Sequence, residues 1–221
     1  MIDRPPRQLL PSTPLLPGSV DQSARQSIRQ PARHSVQDSD QHPVPFAAMP
    51  LRQRLLLPLL ILAVAWLQEL LDQLLFGGRW NLPLAQGGPL WGIVTAPFSH
   101  SGFSHLASNS FWFLPLSWLV LVRGLRPYLL VWTGVFLASV PVWLFWPGAS
   151  HGLSGVIYGL LGYLLEIGLV ERKPVPIGLS VLALSTYGGL LPALVPLFSP
   201  PGVSWIGHAS GFAGGLLASR L

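Results

Sequence analysis

The sequence predicts an all-α, polytopic membrane protein, a bundle of six transmembrane helices. Three observations lead there. Half of the 221 residues are apolar and only 10% are charged, whereas a soluble domain carries about 25% charged residues. From residue 55 onward the chain reads as six apolar stretches, each about long enough to cross a ~30 Å hydrocarbon core at 1.5 Å rise per residue. The basic residues gather at the ends of those stretches, on alternate connections.

Residues 1–50 hold nine prolines among Gln, Ser and Arg. Such a segment buries too little apolar surface to offset its conformational entropy, so a disordered cytoplasmic tail is expected. The first apolar run begins too far along the chain for a signal peptide. Met49 opens a second plausible start, MPLRQRLLL. Residues 51–221 form one expected membrane domain, with spans near 55–75, 103–122, 128–146, 153–170, 175–197 and 203–219. The connection 76–102 holds FGGRWNLPL and WGIVTAPF and reads as a partly ordered interfacial loop.

The formal charge is +5. A basic balance is one mark of nucleic-acid binding, but these residues form no polar patch with aromatics, and no nucleic-acid partner is expected. Arg4, Arg7, Arg25, Arg29, Arg33, Arg52 and Arg54 precede the first span. Arg123 and Arg126 follow the second, Arg172 and Lys173 the fourth, and Arg220 the sixth. With six spans and both termini in the cytoplasm, twelve of the thirteen lie inside; Arg79 alone lies outside. The expected location is a bacterial plasma membrane. Trp80, Trp91, Trp143, Trp146 and Trp205 then fall near the outer interface, where amphipathic rings anchor. The chain has no cysteine, which excludes disulfides, thiolate catalysis and Cys-based metal sites.

Polar groups inside a membrane bundle are costly, so each needs a reason. In HGLSGVIYG, residues 151–159, Gly152 and Gly155 flank Ser154 at a helix start. That position exposes the hydroxyl, and the Ser154 N–H is a free donor for a developing oxyanion. The same motif also serves simple helix packing. In GHASGFAGG, residues 207–215, His208 lies near the outer end of the last span. Gly207, Gly211 and Gly215 make a small-residue ridge there, and Gly155 and Gly159 make another on the fourth span. Two such ridges permit a close crossing, which would bring Ser154 and His208 together as nucleophile and base. Tyr158, one turn below Ser154, has two readings: a ring packed on the His208 imidazole, or ordinary core packing. His105 and Asn109, four apart on the second span, read as oxyanion donors or as an interhelical polar clamp. His100 reads as a brace for the loop. Ser154, His208, His105 and Asn109 all lie near the start of inward-running spans, toward the outer leaflet at similar depth.

No carboxylate completes a triad. Glu166 is ~18 Å along the helix from Ser154. Glu69 and Asp72 sit on the first span with nothing to tie them to His208. The reading is a Ser-His dyad.

These residues resemble the rhomboid intramembrane proteases. Gly152, Leu153, Ser154 and Gly155 match the family's GxSG at the start of the fourth helix, and Tyr158 matches a tyrosine four residues later. His105 and Asn109 match its HxxxN, preceded by His100. His208, Gly211 and Gly215 match HxxGxxxG. The resemblance covers about residues 55–221. It implies cleavage of membrane-anchored proteins in or near their transmembrane segment, through a water-filled cavity open to the outside and without a cofactor or metal. It also implies lateral substrate access past the fifth helix and the loop FSPPGVS, residues 198–204. Within this resemblance Gly152 joins His105, Asn109 and Tyr158 as a supporting position. Two positions depart from the family pattern. Trp91 is followed by Gly92 where many members have Trp-Arg. Val122-Arg123-Gly124-Leu125-Arg126 stands where many have an acidic residue.

Two other functions fit some of these features. A non-catalytic rhomboid-like protein would bind membrane proteins without cutting them, but such relatives usually lack the serine or the histidine. A small transporter would use intramembrane His, Asn and Ser, and is expected to show paired half-sequences; no clear repeat is found here.

Overall fold

The structure is a computed structural model and describes residues 49–221. The expected tail therefore lies outside the described residues, apart from Met49 and Pro50. Six long helices run through the rest: α1 (Leu51–Leu71), α2 (Phe103–Leu121), α3 (Leu125–Phe145), α4 (Ser154–Glu171), α5 (Pro174–Tyr187) and α6 (Trp205–Ala218). This is an all-α polytopic membrane protein. Large apolar side chains such as Leu60, Phe111, Leu137, Phe145, Leu169 and Val181 stand exposed on the bundle, an arrangement that suits lipid rather than water.

Two helices end irregularly. α1 continues through a π-helical turn, Asp72–Phe76, and α5 through a 3-10 segment, Gly188–Leu194. With these extensions, four helices among the described residues are long and apolar enough to cross a membrane: Leu51–Phe76, Leu125–Phe145, Ser154–Glu171 and Pro174–Leu194. α2 and α6 fall short for different reasons. α2 carries His105, Asn109 and four serines, and α6 has only 14 residues.

Start signals are local. Gly102 and Gly124 precede α2 and α3 with φ of 125° and 115°, a region that glycine enters without a Cβ clash. Pro174 opens α5, where its missing N–H leaves no intrahelical bond unmade. The Ser204 hydroxyl caps α6 by accepting from the Gly207 N–H at 3.3 Å.

α4 is the central helix. Its most apolar window is 61% buried, against 11% for α5 with its extension. Leu153, Val156, Leu160, Leu161 and Leu164 form the middle of the core with Leu106, Phe113 and Leu116 of α2 and Val131 of α3. The α4–α6 crossing is made by glycine against backbone. A Cβ on Gly211 would collide with the Gly155 carbonyl, and one on Gly215 with the Gly159 carbonyl. Gly207 faces the Ser150 hydroxyl, which a Cβ would approach to 2.6 Å. The other face of α6 crosses α3 just as closely, Gly214 against Gly134. The sequence reading had not foreseen that second crossing.

The connection 77–102 is ordered by main-chain pairing. β1 (Leu84–Ala85) pairs antiparallel with β2 (Ala149–Ser150), tying this loop to the approach to α4. Asp72 accepts from the Trp80 N–H at 2.6 Å, and Gln68 donates to the Trp80 carbonyl at 3.0 Å. Gly92 opens a one-turn helix, Gly92–Thr95, whose backbone lies so close to Pro83 that a Cβ would sit 2.5 Å from its carbonyl. That contact gives a physical reason for glycine after Trp91. At the end of the bundle away from Ser154, Arg123 forms an ion pair with Glu171 and donates to the Tyr163 hydroxyl at 3.1 Å. Glu166 pairs with Arg220 and accepts from Ser219 at 2.8 Å.

Candidate active site

The N-terminal ends of α2, α4 and α6 meet at one end of the bundle around a cavity of about 620 Å³. Ser154, His208, His105, Asn109 and Tyr158 all line it. Spacing along each helix determines which side chains face inward. His105 and Asn109 are four apart on α2, and Ser154 and Tyr158 are four apart on α4, so each pair shares a face.

The segment before α4 is held from outside. The Gly152 N–H donates to the Ala96 carbonyl at 2.8 Å, and the Leu153 N–H donates to His100 Nε2 at 3.3 Å. His100 is therefore protonated on Nδ1 and acts as a brace. Burial, reinforced by His105 nearby, lowers its pKa to about 3, so it stays neutral. Burial also lowers the pKa of His151. Gly152 has φ of 104°. A Cβ built there would lie 2.9 Å from Cε1 of His105 and 3.1 Å from both His105 Nε2 and Asn109 Nδ2. The backbone entering Ser154 thus passes directly against both α2 polar groups. Asn109 is buried, and its Nδ2 has no partner among the described residues. His105 Nδ1 is bonded to the Ser101 hydroxyl at 3.1 Å. The first N–H groups of α4 have no intrahelical acceptor, so donors from two elements converge on one region.

His208 is buried and stacked on Tyr158, with ring centroids 4.2 Å apart and planes 22° from parallel. Its Nδ1 lies 3.1 Å from the Ala193 carbonyl. A carbonyl only accepts, so the proton is on Nδ1 and the Nε2 lone pair is free. The Tyr158 hydroxyl donates to the Leu190 carbonyl at 2.8 Å. Both acceptors belong to the 3-10 segment that follows α5. The imidazole makes its hydrogen bond to Ala193 rather than to Ser154; nucleophile–base bonds are often long before substrate binds.

Sequence reasoning had not anticipated Leu190 and Ala193, because they act through main-chain carbonyls that any residue supplies. A signal was nevertheless present. In a 3-10 turn the Ala193 carbonyl would bond to the N–H of residue 196. Residue 196 is proline, which has no N–H, so the carbonyl is left for another donor.

Fold and cavity define a polytopic membrane protein with a buried polar site where three helices begin. The Rhomboid domain family matches residues 87–221, more than half of the sequence, and this chain belongs to that family. An uncharacterized protein of Mycobacterium tuberculosis is 35% identical over 178 residues, covering 74% of this chain and 72% of its own. One from Mycobacterium leprae is 34% identical over 174 residues, covering 74% and 69%. The rhomboid protease GluP of Bacillus subtilis is 29% identical over 151 residues, which is 65% of this chain and 28% of GluP.

Proposed function

We propose that this chain is an intramembrane serine endopeptidase that cuts membrane-anchored proteins in or near their transmembrane segment. The observation that carries the proposal is the shared cavity: Ser154, a histidine with a free Nε2, and the polar groups of His105 and Asn109 all line one space of about 620 Å³. Family membership and the likeness to a rhomboid protease support the same reading.

In the proposed reaction His208 Nε2 takes the proton of Ser154 as its oxygen attacks the scissile carbonyl. The Ser154 N–H and the side chains of His105 and Asn109 donate to the oxyanion. His208 then passes its proton to the leaving amine, and water releases the acyl group by the same steps. Glu69, Asp72, Glu166 and Glu171 make their hydrogen bonds and ion pairs elsewhere, in keeping with a dyad rather than a triad. The bundle lets water and unwound substrate backbone meet at membrane depth, which lipid itself does not permit. By the distribution of basic residues, both termini are cytoplasmic and the cavity faces the outside.

The test is incubation of the purified protein with solubilised membrane proteins, followed by sequencing of new termini. The proposal expects cuts at or beside transmembrane segments that disappear in Ser154→Ala. A well-folded protein that captures such substrates and yields no new termini would instead be a non-catalytic binder.

A further inference from the structure

Two side chains of the cavity are tied to one short segment. The Tyr158 hydroxyl donates to the Leu190 carbonyl at 2.8 Å, and His208 Nδ1 donates to the Ala193 carbonyl at 3.1 Å. Both carbonyls belong to Gly188–Leu194, wound as a 3-10 helix. With three residues per turn, carbonyls three apart point to the same side, so Leu190 and Ala193 present their oxygens in one line. Proline keeps one of them available, the Ala193 carbonyl. Pro192 lies inside the segment, and its carbonyl accepts from the Val195 N–H at 3.2 Å, closing the last turn. Pro196 lacks the N–H that would otherwise claim the Ala193 carbonyl.

We propose that this 3-10 segment is the positioning element for the base, with the Ala193 carbonyl holding His208 in its Nδ1-protonated tautomer as a carboxylate does in a triad. The inference rests on the protease reading for its catalytic consequence but not for its structural content. Which ring nitrogen is left free to act is set by the hydrogen bond that the other one makes, and the wrong tautomer costs orders of magnitude in rate. Tyr158 serves the same end from the opposite side. Its ring stacks on the imidazole, and its hydroxyl anchors the segment that supplies the acceptor.

Imidazole ¹⁵N resonances report the tautomer directly. The experiment uses the full chain in lipid, labelled at histidine, with Ser154→Ala so that no chemistry intervenes; His208→Gln assigns the signals. With the segment intact, His208 is expected in one Nδ1-protonated form. Pro192→Ala with Pro196→Ala permits continuous α-helix and withdraws the carbonyl. Tyr158→Phe keeps the ring and frees the segment. Each variant is expected to produce a mixture of tautomers. With Ser154 present, each is expected to lower kcat about 10-fold or more with KM within about twofold. An Nε2-protonated His208 in the intact protein would overturn the inference, as would a tautomer unmoved by either variant. The predicted tautomer in a protein without peptidase activity would refute the proposed function and leave this inference standing.

Discussion

Gly211 of α6 lies against the main-chain carbonyl of Gly155 on α4 so closely that not even a methyl group fits between them. Ser154 and His208 reach one cavity because of this contact. Each is one turn or less from the crossing, so the distance between helix axes fixes the reach between the side chains.

Gly211→Val is therefore expected to force the helices apart. Overpacking costs about 1–3 kcal/mol or more when backbone blocks the new atoms. The variant should melt at lower temperature in detergent and lose nearly all peptidase activity. Gly178→Ala, at a position with open space around it, should leave both unchanged. Equal activity of Gly211→Val and wild type would show that the crossing does not set the site.

Asn109 is a buried donor without a partner among the described residues, poised beside the backbone that enters Ser154. Removing one oxyanion donor typically costs about 2.7–4 kcal/mol in the transition state. Asn109→Ala is expected to lower kcat about 10²–10³-fold with the melting temperature retained. A polar clamp between helices would give the opposite result, lost stability with kcat preserved in the folded fraction.

His100 provides a pH signature. Its pKa is about 3 in the fold, through burial first and His105 second, and about 6.5 in an unfolded chain. Between these values the unfolded state binds a proton that the folded state does not. Stability from this group is complete above about pH 6.5 and is lost as pH falls toward 3, at up to ~1.4 kcal/mol per pH unit. Thermal melts of His100→Gln should fall less steeply with acid than those of wild type. Parallel slopes would contradict this assignment.

Gly92 is expected to matter for the loop rather than for chemistry. Gly92→Ala places a methyl 2.5 Å from the Pro83 carbonyl and should cost about 1–3 kcal/mol. Protease nicking within residues 77–102 should rise while kcat of the intact protein holds. Unchanged nicking would mean that the loop has room to give.

The spans were legible in the sequence because bilayer crossing demands long apolar runs, and each expected span overlaps an observed helix. The cavity-lining residues were legible because polar groups in such runs are rare enough to stand out. Other features left little trace. The β1–β2 pairing is two residues long and depends on backbone alone. The Gly134–Gly214 crossing was hidden because single glycines are common in membrane helices. The expected fifth span, 175–197, gave no sign that α-helix stops at Tyr187; the change to 3-10 form comes with Gly188, Gly189 and Pro192. The acceptors for His208 and Tyr158 are carbonyls, which carry no residue identity, and only Pro196 marked one of them.

A fluorophosphonate probe on the purified protein in lipid tests the central claim most directly, since it reacts with an activated serine without any need to know the natural substrate. Covalent label mapped to Ser154, abolished in Ser154→Ala and strongly reduced in His208→Ala, is the predicted result. A folded wild-type protein that takes up no label at Ser154, or labels equally without His208, would contradict it.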